Sequence, residues 1–251
     1  LISAKIWNKV IDSLNDTKEN KTLNKVLIKV FEELTKNNEG DSIKHIPIIT
    51  YHKYTDERIK PATSNIEEYA RSLFIYLKQN KDLFGNCSGV SVINEGYGLR
   101  THWSVPEDTL VSIFIPTRDK VNLLKSCIRS IFKTKVGLPN EIIIIDNESK
   151  EKETIDFFEE FSNCSTERCL KKVIRYPGKF NFSAMNNYAS KLAKGEVYIL
   201  VNNDIIFLTE NWGKEIASNA LRPDIGCVGS KLLYHDNSIQ HAGVILGIGG
   251  I

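Results

Sequence analysis

Residues 111–119 read Val-Ser-Ile-Phe-Ile-Pro-Thr-Arg-Asp, and residues 141–147 read Glu-Ile-Ile-Ile-Ile-Asp-Asn. Each stretch is a short apolar run that ends in polar residues, which is typical of a parallel strand buried on both faces. Between them, residues 120–132 repeat apolar side chains at helical spacing. Since parallel neighbours need a crossover connection, the order strand, helix, strand predicts a βαβ unit and an α/β fold.

The same alternation continues towards the carboxyl end of the chain. Apolar runs of strand length take turns with amphipathic segments of helix length, and Asp236-Asn237-Ser238 separates two extended runs as a hairpin turn would. The pattern predicts a Rossmann-like, mostly parallel sheet with flanking helices. The predicted elements are helices near 155–161, 183–193 and 212–221, strands at 173–176, 197–201 and 225–228, and a hairpin over 231–246.

The first part of the chain lacks this alternation. It reads as two helices, a short extended piece and a third helix, followed by a hairpin in which residues 90–93 and 99–103 flank a glycine-containing loop. We therefore divide the chain into a smaller, mainly helical segment with a hairpin, residues 1–106, and an α/β domain, residues 107–251.

The composition excludes several classes of protein. Lys and Arg total 33 and Asp and Glu total 31, so the formal net charge is +2 and no global field attracts nucleic acid. No apolar run approaches the roughly 20 residues of a membrane-spanning helix. The five cysteines are odd in number and lack zinc spacing, which favours reduced thiols in a cytosolic protein.

Polar residues follow four of the predicted strands directly. In an open parallel sheet, ligands bind beyond the carboxyl ends of the strands, so these residues together predict a binding cleft. Each has an alternative role, because Asp, Asn and Thr also cap helices and form turns. The four groups are Thr117-Arg118-Asp119, Asp146-Asn147, the loop from Gly178 to Asn181, and Asn202-Asn203-Asp204.

The loop after the first strand argues against common nucleotide cofactors. Residues 116–119 contain no glycine, whereas a dinucleotide site needs a glycine-rich turn there, so a nicotinamide cofactor is disfavoured. The chain also lacks the GxxxxGK[ST] loop of kinases and other NTPases. Two roles remain open for Asp146: it caps the next helix, or it accepts hydrogen bonds from a ribose or a base.

Asn202-Asn203-Asp204 offers one carboxylate and two amide oxygens, which are suitable ligands for Mg²⁺ or Mn²⁺ that also holds phosphates. A single carboxylate binds such a metal weakly, so we expect metal and donor to bind together. Lys179 and the amino end of the helix beginning at Ser183 add positive potential for the same phosphates. His241 is a further candidate metal ligand or donor contact, although a neutral structural histidine explains it slightly better.

From Val111 onwards, the chain resembles family 2 glycosyltransferases, specifically the bacterial group that builds O-antigen and other surface polysaccharides. Five stretches carry the resemblance, in the family's order and spacing. They are Val-Ser-Ile-Phe-Ile-Pro-Thr-Arg-Asp at 111–119, Ile-Ile-Ile-Asp-Asn at 143–147, Lys-Phe-Asn-Phe-Ser-Ala-Met-Asn-Asn at 179–187, Gly-Glu-Val-Tyr-Ile-Leu-Val-Asn-Asn-Asp at 195–204, and Gln-His-Ala-Gly-Val-Ile-Leu-Gly at 240–247.

The resemblance implies the Rossmann-like fold called GT-A and a donor sugar on uridine or thymidine diphosphate. Asn202 and Asp204 occupy the two acidic positions of the family's Asp-x-Asp metal motif, and the asparagine removes one charge from it. The donor-contacting positions that the resemblance and the strand ends assign are Thr117, Arg118, Asp119, Asp146 and Asn147 at the nucleotide, and Lys179, Asn181, Asn186 and Asn202 towards the diphosphate and sugar.

The resemblance also implies a single displacement that inverts the anomeric carbon, with a glycan or lipid-linked hydroxyl as acceptor. The family's base follows the region where this sequence stops, so no residue is assigned to that role. We expect a piece of a longer enzyme, in which residues 1–106 resemble the tail of a preceding transferase domain and which can be inactive as a fragment. The implied location is cytoplasmic, with peripheral association at the inner face of the cell membrane.

Two rival functions are weighed against this one. A nucleotidyltransferase would need a glycine-rich, basic loop after the first strand, which residues 116–119 do not provide. A non-catalytic domain that binds a sugar nucleotide or scaffolds its neighbours is compatible with Asn202 and with a missing acceptor side. Metal-dependent donor binding without turnover would identify it. The donor sugar is left open among rhamnose, galactose and N-acetylhexosamine.

Overall fold

The computed structural model describes residues 63–93 and 98–244. Two compact units divide between Trp103 and Ser104. Within the described residues, no helix is long and apolar enough to cross a membrane. The helices predicted within residues 1–62, and the loop of the first predicted hairpin, lie outside the described part of the chain.

The described residues of the smaller unit form two helices and a hairpin. Helix α1 spans Thr63–Gln79, helix α2 spans Lys81–Phe84, strand β1 spans Cys87–Ile93 and strand β2 spans Gly98–Trp103. The two strands pair antiparallel, which confirms the predicted hairpin. Helix α1 and the hairpin share a core formed by the buried residues Tyr76, Leu77, Cys87 and Trp103.

The larger unit alternates strands and helices, as the sequence pattern predicts. Its elements are β3 (Val111–Thr117), α3 (Val121–Thr134), β4 (Asn140–Asp146), α4 (Lys152–Ser162), β5 (Cys169–Arg175), α5 (Phe182–Ser190), β6 (Val197–Leu200), α6 (Trp212–Ala220), β7 (Leu232–Leu233) and β8 (Ile239–His241). Strands β7 and β8 pair antiparallel around residues 236–238, so the last predicted hairpin is also present.

Four parallel strands form the central sheet, in the order β5-β4-β3-β6. Strands β3 and β4 lie in the middle and every residue of both is buried, which explains their continuous apolar runs. Thr117 at the end of β3 is the register partner of Asp146 at the end of β4. The sheet confirms the predicted α/β class with a mostly parallel sheet and flanking helices.

Helices cover both faces of this sheet. On one face, Ile113 and Ile142 belong to a large core that also contains apolar residues of α3, α4 and α6. On the other face, Phe114 and Ile143 pack with Met185 of α5. Because side chains alternate along a strand, each apolar strand supplies both cores, and the polar residues at its end are left at the edge of the sheet.

A buried carboxylate joins the strands near their amino ends. Glu141 is fully buried in β4, and its carboxylate accepts hydrogen bonds from the Ser112 hydroxyl at 2.7 Å and from the Lys194 backbone N–H. The Lys172 ammonium lies 2.9 Å from the second carboxylate oxygen. The Gly195 N–H donates to the Ser112 hydroxyl oxygen at 2.9 Å. Glu141 therefore ties β3, β4, β5 and the segment before β6 to one another.

The prediction of a strand at residues 225–228 is wrong, because that segment has no regular secondary structure. The run is only four residues long and contains Gly226, and no described strand pairs with it. The backbone instead turns, with the Ile225 N–H bonded to the Arg222 carbonyl at 3.1 Å. In the rest of the described larger unit only boundaries differ: β5 begins at Cys169, four residues earlier than predicted, and α5 ends at Ser190 instead of residue 193.

Candidate functional site

Thr117 is the point where three strand ends meet. Its carbonyl accepts the Asn147 backbone N–H at 2.9 Å, which continues the β3–β4 pairing by one residue. Its hydroxyl oxygen accepts a hydrogen bond from the Asn203 side-chain amide, also at 2.9 Å. The predicted convergence of polar residues at the carboxyl edge of the sheet is therefore present for the ends of β3, β4 and β6.

Asp119 joins the loop after β3 to the loop after β4. Its Oδ1 accepts the Lys150 N–H at 2.8 Å and the Glu151 N–H at 2.9 Å, just before α4 begins. The bond from Glu151 is the main reason that the pKa of Asp119 lies below its usual value. The backbone of Asp119 has a φ of 51°, a left-handed conformation that suits aspartate better than most residues. Arg118, beside it, is exposed.

Asp146 and Asn147 are both buried at the end of β4. The Asp146 Oδ1 accepts the Ser149 N–H at 2.8 Å, so this carboxylate shapes the turn before α4. The Asn147 amide donates to the Gly178 carbonyl at 3.0 Å, which fixes the loop after β5. Its Oδ1 is buried with no hydrogen-bond partner in the described residues. These contacts use the Asp146 Oδ1 and the Asn147 amide N–H. The Asp146 Oδ2 and the Asn147 Oδ1 remain available as acceptors.

Ser149 is a site residue that sequence reasoning missed. Its backbone N–H donates to Asp146, and its hydroxyl oxygen accepts the Asp119 N–H at 2.8 Å. The residue therefore holds the two predicted nucleotide-binding loops together while only 5% exposed. The available signal was Asp146 at the strand end, because an aspartate there typically accepts hydrogen bonds from backbone N–H groups a few residues further on.

The loop between β5 and α5 is capped by an asparagine. The Asn181 Oδ1 accepts the Ala184 N–H at 2.9 Å and so begins α5, while its own side chain is exposed. One turn later, the buried Asn186 donates to the Phe182 carbonyl at 2.8 Å, and its Oδ1 has no partner in the described residues. Lys179 is exposed on the same loop. The remaining N–H groups at the amino end of α5 give this loop a positive potential.

The loop after β6 rests on helix α3. The Cys127 thiol donates to the Asn202 carbonyl at 3.8 Å, and the Ser130 hydroxyl oxygen accepts the Phe207 N–H at 3.0 Å. Burial, together with the negative charge of Asp204, raises the pKa of Cys127 to about 12, so this thiol is protonated and serves as a donor. The side chains of Asn202 and Asp204 are exposed above this support.

The donor atoms at this loop suit a divalent cation that is shared with a ligand. Asn202 and Asp204 offer exposed amide and carboxylate oxygens, which are the hard ligands that Mg²⁺ and Mn²⁺ prefer. Within the described residues, no three His, Cys, Asp or Glu side chains gather as a metal site, and His241 in β8 belongs to no such group. A metal here therefore needs ligand or water oxygens, and a role for His241 stays a prediction.

The structure thus shows an α/β domain in which polar residues gather at the carboxyl ends of β3, β4 and β6, and this edge of the sheet is the candidate ligand site. The family model "Glycosyl transferase family 2" matches residues 112–242, which is more than half of the chain. The chain belongs to this family. The resemblance inferred from the five sequence motifs is thereby confirmed.

Two curated relatives are similar over this domain. The uncharacterized protein y4gI of Sinorhizobium fredii is 40% identical over 155 residues, covering 62% of this chain and 17% of that protein. The O-antigen biosynthesis protein RfbC of Myxococcus xanthus is 34% identical over 151 residues, covering 60% of this chain and 12% of RfbC. The chain thus spans less than a fifth of either relative.

Two solved structures are similar to parts of this chain at low sequence identity. The mannosyltransferase PcManGT from Pyrobaculum calidifontis, solved with GDP-Man and Mn²⁺, is 15% identical with a TM-score of 0.41, over 49% of this chain and 36% of that one. TarS residues 1–349 from S. aureus is 21% identical with a TM-score of 0.36, over 43% and 31% respectively. Structural similarity at these TM-scores supports no conclusion about this chain beyond the strand order described above.

Proposed function

We propose that this chain carries the donor-binding part of an inverting glycosyltransferase. The enzyme would move a sugar from a uridine or thymidine diphosphate to a hydroxyl of a glycan or lipid-linked acceptor, in surface polysaccharide synthesis at the cytoplasmic face of the membrane. The observation that carries the proposal is the junction at Thr117, where Asp146, Asn147 and Asn203 meet at one edge of the sheet. Membership of family 2 supports the transferase class.

The two aspartates at this edge are suited to bind the nucleoside. Asp119 and Asp146 each use Oδ1 for backbone N–H groups, and no hydrogen bond of the described residues involves either Oδ2. The backbone bonds hold the carboxylates in place, so the second oxygens can accept from ribose hydroxyls or a base N–H. Arg118 would add a cation close to the phosphates.

The amino end of α5 is suited to bind the diphosphate. Helix N–H groups and the nearby Lys179 ammonium attract phosphate oxygens. Asn181 caps this helix, and Asn186 lies one turn inside it with a buried, unpartnered oxygen. A donor-sugar hydroxyl or amide N–H is the kind of group that would satisfy such an oxygen. We assign Asn181 to the diphosphate and Asn186 to the sugar.

Asn202 and Asp204 would hold Mn²⁺ or Mg²⁺ together with the diphosphate. Such a cation, when bound, stabilises the negative charge that develops on the departing diphosphate. Because Asn202 contributes no charge, the protein alone would bind the metal weakly, and the diphosphate would complete the coordination shell. No described residue is assigned as the base that deprotonates the acceptor hydroxyl.

Calorimetric titration of the 251-residue chain with UDP and dTDP, each in Mn²⁺ and in EDTA, tests the proposal. We expect binding in Mn²⁺ that becomes much weaker, but still measurable, in EDTA, and a preference between the two bases. Absence of binding, or equal binding in EDTA, would contradict a metal-assisted donor site. Metal-dependent binding by a full-length protein that transfers no sugar would instead identify the non-catalytic alternative.

The Gly178→Ala variant should weaken donor binding by about tenfold, which corresponds to roughly 1.4 kcal/mol. An added Cβ would lie 2.8 Å from Tyr176 ring atoms, and an aromatic ring cannot yield as a flexible chain would. The loop would shift, and the Gly178 carbonyl would lose its bond from Asn147. UDP affinity in Mn²⁺ measures the effect.

Gly226→Ala is the matched control for Gly178→Ala. Among the described residues, no atom beyond its chain neighbours lies within 4 Å of the Cβ that this substitution would add, and Gly226 is not one of the predicted site residues. We expect the control to keep the wild-type affinity. A Gly178→Ala protein with unchanged affinity would show that the loop after β5 does not contact the donor.

A further inference from the structure

We propose that Asn203 is a positioning residue that couples nucleotide binding to metal binding through the protein. It would do so by linking the nucleotide loop, residues 117–119, to the metal loop, residues 202–207. The inference rests on the proposed function of the same site and assigns a role to the residue between the two metal ligands.

The link is a chain of two hydrogen bonds. The Asn203 side-chain amide donates to the Thr117 hydroxyl oxygen at 2.9 Å, and that hydroxyl donates to the Asp119 carbonyl at 3.3 Å. Because the hydroxyl proton is directed at Asp119, the oxygen presents lone pairs to residue 203, where a donor is required. An asparagine supplies that donor, whereas an aspartate at this position would be acceptor-only.

The two loops are otherwise anchored to different helices. The nucleotide loop is held at the amino end of α4, through Asp119 to Lys150 and Glu151. The metal loop is held on α3, through Cys127 and Ser130. The bond between Asn203 and Thr117 crosses from one loop to the other, so a displacement of either loop is transmitted to its neighbour.

Exposure along the metal loop agrees with this division of roles. Asn202 and Asp204 are exposed, where they can reach a cation, whereas Asn203 between them is half-buried and directed at β3. A metal that orders the outer two side chains would also fix Asn203, and with it the Thr117 hydroxyl. The nucleotide would then meet a loop that is already ordered, which makes binding of the two ligands cooperative.

The test measures a coupling factor, defined as the UDP affinity in Mn²⁺ divided by the UDP affinity in EDTA. Asn203→Ala and Thr117→Val each remove the bond, while Thr117→Ser keeps the hydroxyl. Asn219→Ala is a matched control, because the Asn219 side-chain amide donates to the Glu215 carbonyl of its own helix and, in the described part of the chain, to no other group. The affinity of Mn²⁺ in saturating UDP and in its absence supplies the same factor from the other side.

We expect Asn203→Ala and Thr117→Val to reduce the factor by about tenfold each and their combination to reduce it no further, since both remove one bond. Asn219→Ala should keep the wild-type factor, and Thr117→Ser, which retains the hydroxyl, should reduce the factor less than Thr117→Val does. Equal losses of UDP affinity in Mn²⁺ and in EDTA would overturn the inference, and so would additive losses in the double variant. A wild type with no metal dependence would instead refute the proposed function. If Asn203→Ala does not fold, the coupling factors of Thr117→Val and Thr117→Ser are compared instead, and equal factors in these two variants would overturn the inference.

Discussion

Replacing Asp204 with alanine is expected to weaken Mn²⁺-dependent binding of UDP or dTDP by about 100-fold or more, since even indirect partners of metal ligands contribute 10–100-fold. Asp204 supplies the carboxylate of the proposed metal pair, and its partner Asn202 carries no charge. The loop that presents both residues is held on α3 by backbone atoms, so the substitution should leave the fold intact. Calorimetry of the wild type and the variant, in Mn²⁺ and in EDTA, measures the effect.

Two further variants bracket this result. Asp108→Ala removes an exposed carboxylate in the segment that precedes β3, beyond the opposite edge of the sheet, and should bind as the wild type does. Asn202→Asp restores a second carboxylate and should tighten Mn²⁺ binding. Asp204→Ala protein that binds UDP in Mn²⁺ as tightly as the wild type would remove Asp204 from the metal site.

Replacing Glu141 with alanine is expected to destabilise the domain by about 2–3 kcal/mol, because a buried carboxylate that accepts several hydrogen bonds is removed, while its ion-pair partner Lys172 reaches solvent. The variant would leave the Lys172 ammonium, the Lys194 N–H and the Ser112 hydroxyl without their shared acceptor. Glu153→Ala is the control, since its pair with Lys125 is exposed and should contribute less than about 1 kcal/mol. Urea unfolding of both variants near pH 7 measures the difference.

The Glu141 contribution should also depend on pH. Burial alone would raise the pKa of Glu141, but the bonds from Lys194, Ser112 and Lys172 outweigh it and hold the pKa below the usual value. The group is therefore more acidic when folded, and its stabilisation is complete above the unfolded pKa of about 4.3 and is lost as the pH falls through the folded pKa. The stability difference between wild type and Glu141→Gln should narrow below about pH 4. A difference that grows there would contradict the paired, ionised state.

The sequence predicts the strands of the sheet well where burial alone determines which residues they contain. Strands β3 and β4 are buried on both faces, so their residues are apolar without interruption and their ends are sharp. Strand β5 lies at the edge of the sheet and carries Lys171 and Lys172 in its first half, so the apolar pattern began only at Val173. The strand prediction at residues 225–228 was wrong because the apolar pattern is present there but a pairing partner is not, and an apolar run without a partner does not make a strand.

The site positions follow from the strand ends, but the contacts between their side chains do not. Parallel strands bring Thr117 and Asp146 side by side once the register is known. Nothing in the spacing shows that Asp119 turns back to the N–H groups of Lys150 and Glu151, because that bond depends on a left-handed backbone at Asp119. The bond between Asn203 and Thr117 joins residues that are 86 positions apart.

A crystal structure of this chain with UDP and Mn²⁺ tests the central claim, a donor site at the carboxyl edge of the sheet, most directly. We predict a manganese anomalous peak between Asp204 and the diphosphate, the uridine beside Thr117 and Asp146, and the phosphates facing the amino end of α5. Nucleotide bound at any other surface, or a manganese peak away from Asn202 and Asp204, would contradict the account.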